Sequence, residues 1–308
     1  MNVLITGCAG FIGSHATDVF LESGHKVVGV DLLTYAGNIE NIHNALQTKD
    51  FVFYKDDICN TDKIIEICLK EDIEWIINFA AETHVDNSIK SASSFVRSNV
   101  DGVRSLLDCC VYTGAKFFQI STDEVYGSIG AGSFRETDNI NPRNPYSATK
   151  AAAEIMVEAY RNTHKIEYKI VRMSNNFGPR QNGEKFLPTI IRSLLKNQKI
   201  PVYGDGKNVR DWLYVRDCAH MVRQVLLRGL INQTYNLTHR NEKENIELIR
   251  YVCELLEKDF KDSFVFIKDR KGHDFRYSIC NKKILSMGVK PPNDFRPALL
   301  ETIDYYRK

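Results

Sequence analysis

The sequence predicts an α/β protein built on a doubly wound parallel sheet, with a smaller α/β lobe towards its C-terminal end. Three observations carry that prediction. Short apolar runs alternate with helical patterns over residues 2–173, the order that gives a parallel sheet with helices on both faces. The first run is followed at once by Gly7, Gly10 and Gly13. The second run ends in an acid, Asp31.

Taken in order, residues 2–6 form an apolar strand, and Gly7-Cys8-Ala9-Gly10-Phe11-Ile12-Gly13 turns the chain into a helix over 11–23. The three-residue glycine interval differs from the familiar GxGxxG. It meets the same needs: a tight turn, close approach of backbone to a pyrophosphate, and close packing of helix on strand. Gly24 ends that helix. A strand over 26–30 delivers Asp31, 18 residues beyond Gly13, close to the roughly 20 expected of the acid that binds an adenosine ribose. A carboxylate there accepts from both ribose hydroxyls and repels a 2′-phosphate, so NAD is preferred over NADP. A strand over 51–54 precedes Asp56-Asp57-Ile58, and Thr61-Asp62 is placed to cap a helix running to about residue 70. A strand over 74–80 follows, and the small residues at its end, Ala80 and Ala81, suit either a flat cofactor ring or ordinary packing. One long helix is expected over 93–113, closed by Gly114.

The next strand, 117–120, leads into Ser121-Thr122-Asp123-Glu124-Val125-Tyr126-Gly127. This puts Thr122, Asp123 and Glu124 at the carboxyl end of a strand, where open parallel sheets bind ligands. Neighbouring carboxylates divide acid and base labour when their surroundings push the two pKa values apart. A solvated acidic turn is the plainer reading of the segment alone. Pro145-Tyr146-Ser147-Ala148-Thr149-Lys150 opens a strong helix over 146–164 and places Tyr146 and Lys150 on one face. A phenol is a weak base near neutrality, and a nearby ammonium favours its ionised form.

The division expected is a dinucleotide-binding, Rossmann-type domain over 1–173 carrying the catalytic residues, and a ligand-binding lobe over 174–308 with some segments returning to the first. Composition is that of a globular chain: 308 residues, 43% hydrophobic, 26% charged, net charge +2. Nothing in it argues for nucleic acid or membrane surfaces. Eight cysteines lack CxxC or metal-ligand spacing, so free thiols in a reducing cytoplasm are expected, with no metal site. No signal peptide and no bilayer-spanning run is read.

Together the GxxGxxG turn, Asp31, TDEVYG and YxxxK resemble the extended short-chain dehydrogenase/reductase superfamily, and within it the nucleotide-sugar 4,6-dehydratases, most nearly those of dTDP-glucose. The segments Asp31–Asn38, Ala80–Ile89, Ser174–Pro179, Gly204–Trp212 and Arg270–Asp274 carry the likeness over nearly the whole chain. That resemblance implies NAD that stays bound and is regenerated in each turnover. It places Phe11, Ile12, Leu32, Thr34, Asp57, Ile58, Thr83, Ser98 and Asn176 along the cofactor, beside the glycines, Asp31, Ala80 and Ala81. It implies Tyr146 as base at the sugar 4-hydroxyl, Lys150 lowering the phenol's pKa and holding ribose, and Thr122 near C4. Glu124 would be the base at C5, and Asp123 the acid at the 6-hydroxyl. Around the substrate it places Thr83, Thr122, Asn175, Phe186, Pro201, Tyr203, Asn245 and His273. Lys185, Arg210 and Arg270 are cations available for the diphosphate. A homodimer through a four-helix bundle, made by helices 93–113 and 146–164, is also implied. The nucleotide and hexose stay open among dTDP-glucose, UDP-glucose and a UDP- or GDP-linked N-acetylglucosamine. A 4-epimerase and a non-catalytic NAD-binding protein are the competing functions.

Overall fold

The computed structural model describes residues 1–269, 272–291 and 293–308. Its strands are β1 (Asn2–Thr6), β2 (Lys26–Asp31), β3 (Phe51–Lys55), β4 (Trp75–Asn78), β5 (Lys116–Thr122), β6 (Tyr168–Met173), β7 (Asn175–Phe177), β8 (Ile200–Tyr203), β9 (Val209–Tyr214), β10 (Gln233–Leu237), β11 (Glu242–Glu244) and β12 (Phe264–Ile267). Seven of them form one sheet in the order β10-β6-β5-β4-β1-β2-β3, and every neighbouring pair is parallel. Strands buried on both faces read as continuous apolar runs rather than alternating ones. Val3, Leu4 and Ile5, fully buried, are of that kind.

The helices Phe11–Glu22 and Val215–Arg228 cover one face of the sheet. Thr61–Lys70, Gly102–Thr113 and Pro145–His164 cover the other. The strand order reverses between β1 and β4, which opens a crevice at the carboxyl ends of the strands. A second core unites Phe186–Leu195, Asn245–Leu255 and Phe295–Arg307 with β8 and β9. This smaller lobe carries a three-stranded sheet, β11-β9-β7, and a two-stranded one, β12-β8. The chain between them crosses back: Val215–Arg228 and β10 belong to the large sheet.

Several elements differ from the sequence expectation. The helix over 93–113 is divided into Ser93–Val96, a π-helical turn Arg97–Asp101, and Gly102–Thr113. Buried Asn99 explains the irregular turn. Its side chain exchanges hydrogen bonds with the main chain of Glu82 (2.9 and 3.0 Å) and donates to Thr149 Oγ1 (2.9 Å). Thr61 and Asp62 do not cap their helix: Asn60 is the N-cap, without a side-chain hydrogen bond. The strand over 74–80 shortens to Trp75–Asn78, and a helix, Val85–Lys90, occupies the segment beyond it. Its N-cap is His84, which accepts from Asn87 N.

Candidate active site

The glycine turn is built as the spacing requires. Gly7 has φ +66, and a Cβ there would lie 2.7 Å from Ala80 N; a Cβ on Gly13 would lie 2.1 Å from Gly7 O. Only hydrogen fits between the turn, the end of β4 and the helix start. The helix Phe11–Glu22 begins with no side-chain cap, so its first N–H groups point outward as donors for an anion. Asp31 ties the turn to the end of β2, accepting from Ala9 N at 2.9 Å and Leu33 N at 2.8 Å. Each of its oxygens keeps a further lone pair. A cavity of about 300 Å³ is bounded by Asp31, Leu32, Thr34, Asp57, Ile58 and Ser98, with Gly7, Gly10, Ala80 and Ala81 on its inner wall. An adjoining one of about 260 Å³ runs from Gly7, Gly10, Phe11, Ile12 and Gly13 to Tyr146, Lys150 and Asn176. Hydrogen-only glycine positions, uncapped donors and a terminal acid fit a dinucleotide lying across the strand crevice.

The acid–base segment starts on β5. Thr122 is its last residue and caps the short turn Asp123–Tyr126, accepting from Glu124 N. Gly127, at φ +79, closes the turn, where a Cβ would meet Asn141 O at 2.5 Å. Asp123 is buried, and its Oδ2 has no hydrogen-bond partner. Burial first, then the Glu124 and Asp211 carboxylates, push its pKa well above the ordinary carboxylate range. Glu124 is half-buried and also raised by burial, but Asn144, Arg210 and Lys185 pull it back. Asn144 Nδ2 donates to Glu124 Oε2 at 3.2 Å. Of the two carboxyls, Asp123 is the one raised further.

Tyr146 and Lys150 lie buried on the first turns of Pro145–His164. Pro145 at the first position and a capping box between Asn144 and Ser147 fix this helix start. Burial dominates the electrostatics of this pair. Burial and then Glu124 raise the Tyr146 phenol, and the Thr122 hydroxyl offsets only part of that. Lys150 is itself lowered to about 8 by burial, with Glu154 opposing. Its Nζ donates to Ile120 O at 2.6 Å. The Lys150 ammonium is thus engaged by a backbone carbonyl, with the Glu154 charge acting on it.

The third cavity, about 410 Å³, joins the second at Thr83, Glu124, Asn175 and Lys185. Phe186, Pro201, Tyr203, Arg210, Asn245 and His273 complete the expected substrate wall. Lys185 Nζ reaches Thr83 O at 3.1 Å. Arg210 donates to the carbonyls of Val209, Phe275 and Asp274 and stacks 4.4 Å over the Tyr277 ring. Its charge reaches the cleft, with fewer donors to spare than a free guanidinium has. Arg270 lies outside the described residues.

Sequence reasoning missed Asn144, Asp274 and Tyr277 as neighbours of Glu124. The Asn-Pro pair before Tyr146 is a helix-start signal that points to Asn144. No local signal marks Tyr277, whose hydroxyl lies 3.4 Å from Glu124 Oε2 across a separation of 153 residues.

Comparison with known proteins bears on this geometry. A family profile described as GDP-mannose 4,6 dehydratase matches residues 4–287. A dTDP-glucose 4,6-dehydratase of Xanthomonas campestris is 37% identical over 98% of this chain and 92% of its own. The chain belongs to the nucleotide-sugar 4,6-dehydratases. Another relative, the low-salt glycan biosynthesis protein Agl12 of Haloferax volcanii, is 43% identical over 99% of this chain and 98% of its own. Among solved structures, DesIV from Streptomyces venezuelae, a dTDP-glucose 4,6-dehydratase with NAD bound, superposes with a TM-score of 0.96. It shares 37% identity and covers 100% of this chain and 97% of its own. As in that dehydratase structure, a parallel central sheet with flanking helices forms the scaffold.

Proposed function

We propose that this chain performs the NAD-dependent dehydration of dTDP-glucose to its 4-keto-6-deoxy product. The observation that carries the reading is the adjacent pair Asp123 and Glu124, held in different protonation tendencies at the end of β5. Epimerisation at C4 needs a base at the hydroxyl but neither an acid at C6 nor a base at C5.

Gly7, Gly10, Gly13 and the uncapped helix start hold the pyrophosphate of NAD, and Asp31 its adenosine ribose. Bound NAD supplies a cationic hydride acceptor for C4 and returns the hydride at C6. Tyr146 takes the 4-hydroxyl proton as that oxidation proceeds, with Thr122 bonded to the same oxygens. Charge on Lys150 steadies the phenolate, although burial sets most of the phenol's resting affinity for its proton. Once C4 is a ketone the C5 hydrogen is acidic, and Glu124 removes it. Asp123 protonates the departing 6-hydroxyl. Lys185 and Arg210 face the diphosphate, and Tyr203 offers a stacking surface for the base.

A homodimer is proposed as the setting of this site. Helix Pro145–His164 exposes Ala148, Ile155 and Ala159, with Ala152 and Met156 half-buried beside them. Val96 and Val111 are exposed on the companion helix. A four-helix bundle would cover these faces. The eight cysteines are free thiols, which supports a reducing cytoplasmic setting. Among the described residues no helix is long and apolar enough to cross a membrane.

The test is incubation with a panel of dTDP-, UDP- and GDP-hexoses, followed by mass spectrometry. Loss of one water from dTDP-glucose is expected. Water loss confined to a UDP- or GDP-sugar overturns the nucleotide assignment, and conversion without mass change overturns the dehydratase reading.

A further inference from the structure

Dehydration leaves an unclosed proton account. The C5–H bond breaks with its proton passing to Glu124, and the C6–O bond breaks as Asp123 protonates that oxygen. Hydride return to C6 then requires a proton at C5. Either the abstracted proton waits on Glu124, or it leaves and another arrives.

Behind Glu124 lies a chain of three oxygens. Tyr277 Oη is 3.4 Å from Glu124 Oε2 and 2.7 Å from Asp274 Oδ2. A phenol has one hydrogen to donate, so it cannot serve both carboxylates at once. The shorter contact places it on Asp274, and the phenol oxygen then turns its lone pairs to Glu124. That polarity suits a Glu124 that has just become protonated. Both Tyr277 and Asp274 are buried, at 4% and 1% exposure, and among the described residues Asp274 Oδ1 has no hydrogen-bond partner. Arg143 Nη1 lies 3.4 Å from that oxygen on a side chain that is half exposed. Movement of this one guanidinium would open Asp274 to water. The Tyr277 ring is separately held under Arg210, so the hydroxyl is not needed for packing.

We propose that Tyr277 and Asp274 form a proton relay that exchanges the hydrogen Glu124 takes from C5 with solvent. This rests on the dehydratase reading above. In one concerted step the Glu124 O–H bond breaks as an O–H bond forms on Tyr277, while the original Tyr277 O–H bond breaks as one forms on Asp274. Phenolate never accumulates. Asp274 releases its proton to water beside Arg143, and the reverse sequence delivers a solvent proton to C5. Tyr277 and Asp274 line the same cavity of about 410 Å³ as Glu124, and as positioning and relay residues they pass its proton on.

The experiment is turnover of dTDP-glucose in D₂O, with deuterium at C5 of the product read by NMR and mass spectrometry. Wild-type product is expected to carry deuterium at C5. Tyr277→Phe and Asp274→Asn should return the original hydrogen, lowering C5 deuteration several-fold while hydride transfer from C4 stays near its wild-type rate. If either variant makes product only slowly but accumulates NADH, proton clearance from Glu124 limits it and the relay stands. Full C5 deuteration in both variants overturns the relay, as does a wild-type product that loses water but keeps its own C5 hydrogen. Loss of NADH formation in both variants assigns the pair to structure alone and likewise overturns it. Absence of any water-loss product from the wild type with every hexose of the panel defeats the dehydratase reading instead.

Discussion

Asp123 keeps one oxygen without a hydrogen-bond partner, whereas Glu124 receives an N–H from Asn144. That difference, with the deeper burial of Asp123, separates two residues that share a peptide bond. Removing the base should separate the two halves of the reaction. Glu124→Gln is expected to lower water loss by about 10²–10⁴-fold, the usual worth of a positioned base, while C4 oxidation continues. Stopped-flow absorbance should show NADH forming and persisting; water loss at the wild-type rate would remove Glu124 from the role. Asp123 predicts a trade between function and stability. Its folded pKa lies above the ordinary 3.8, so the folded protein binds that proton more tightly than the unfolded chain does. Its contribution is favourable below the unfolded value and is lost as pH rises through the folded one. Asp123→Asn, neutral at every pH, should gain about 0.5–2 kcal/mol at neutral pH and lose that margin towards acid. Denaturant midpoints at neutral and acid pH test this, alongside the loss of turnover.

At the scale of elements, the catalytic helix and β5 are locked together from behind. Arg172 on β6 meets Glu154 through Nε and Nη2, at 3.0 and 2.6 Å to Oε2, and both side chains are nearly buried. Ser121, next to Thr122, donates to Glu154 at 2.5 Å, and Arg172 Nη1 donates to Tyr126 at 2.7 Å. One carboxylate on the helix thus fixes the strand end before the acid–base turn and the hydroxyl after it. Arg172→Met leaves Glu154 buried and unpaired, and should cost about 3–5 kcal/mol, read from urea denaturation. A change near zero would mean that this ion pair does not hold the two elements together. These elements also mark how far the sequence could be read. The six strands up to residue 173, the glycine turn and the helix carrying Tyr146 and Lys150 were legible because each is set by local spacing: apolar runs, glycine intervals, a proline at the helix start. The π-helical turn at Arg97–Asp101 was not, because Asn99 answers to Glu82 and Thr149, 17 and 50 residues away. Val85–Lys90 was hidden by its single short turn-and-a-half of mixed residues. Tyr277 and Asp274 were out of reach as partners of Glu124, since only the return of the chain from the smaller lobe brings them there.

For the whole molecule, the proposed homodimer turns on the outward face of the helices over 93–113 and 146–164. Along Pro145–His164 the positions 148, 152, 155, 156 and 159 recur at helical spacing and are Ala, Ala, Ile, Met and Ala, with Ile155 at 60% exposure. Small residues along a helix let a facing helix approach closely, and an isoleucine among them gives an apolar knob to bury. The companion helix adds Val96 and Val111 at 45% and 44% exposure. Two-fold symmetry would set each pair of helices against its copy, burying the patch with no segment from elsewhere. Ile155→Glu places a charge at the centre of that contact on each subunit, so desolvation and like-charge repulsion both oppose association. Sedimentation velocity should then show the mass falling from dimer to monomer. NAD titration should be little changed, because Ile155 lines neither of the cavities around Asp31, Gly7 and Lys150. A wild-type protein that sediments as a monomer, or a variant that remains dimeric, would place the interface elsewhere and leave Ile155 as an exposed apolar residue of the free surface.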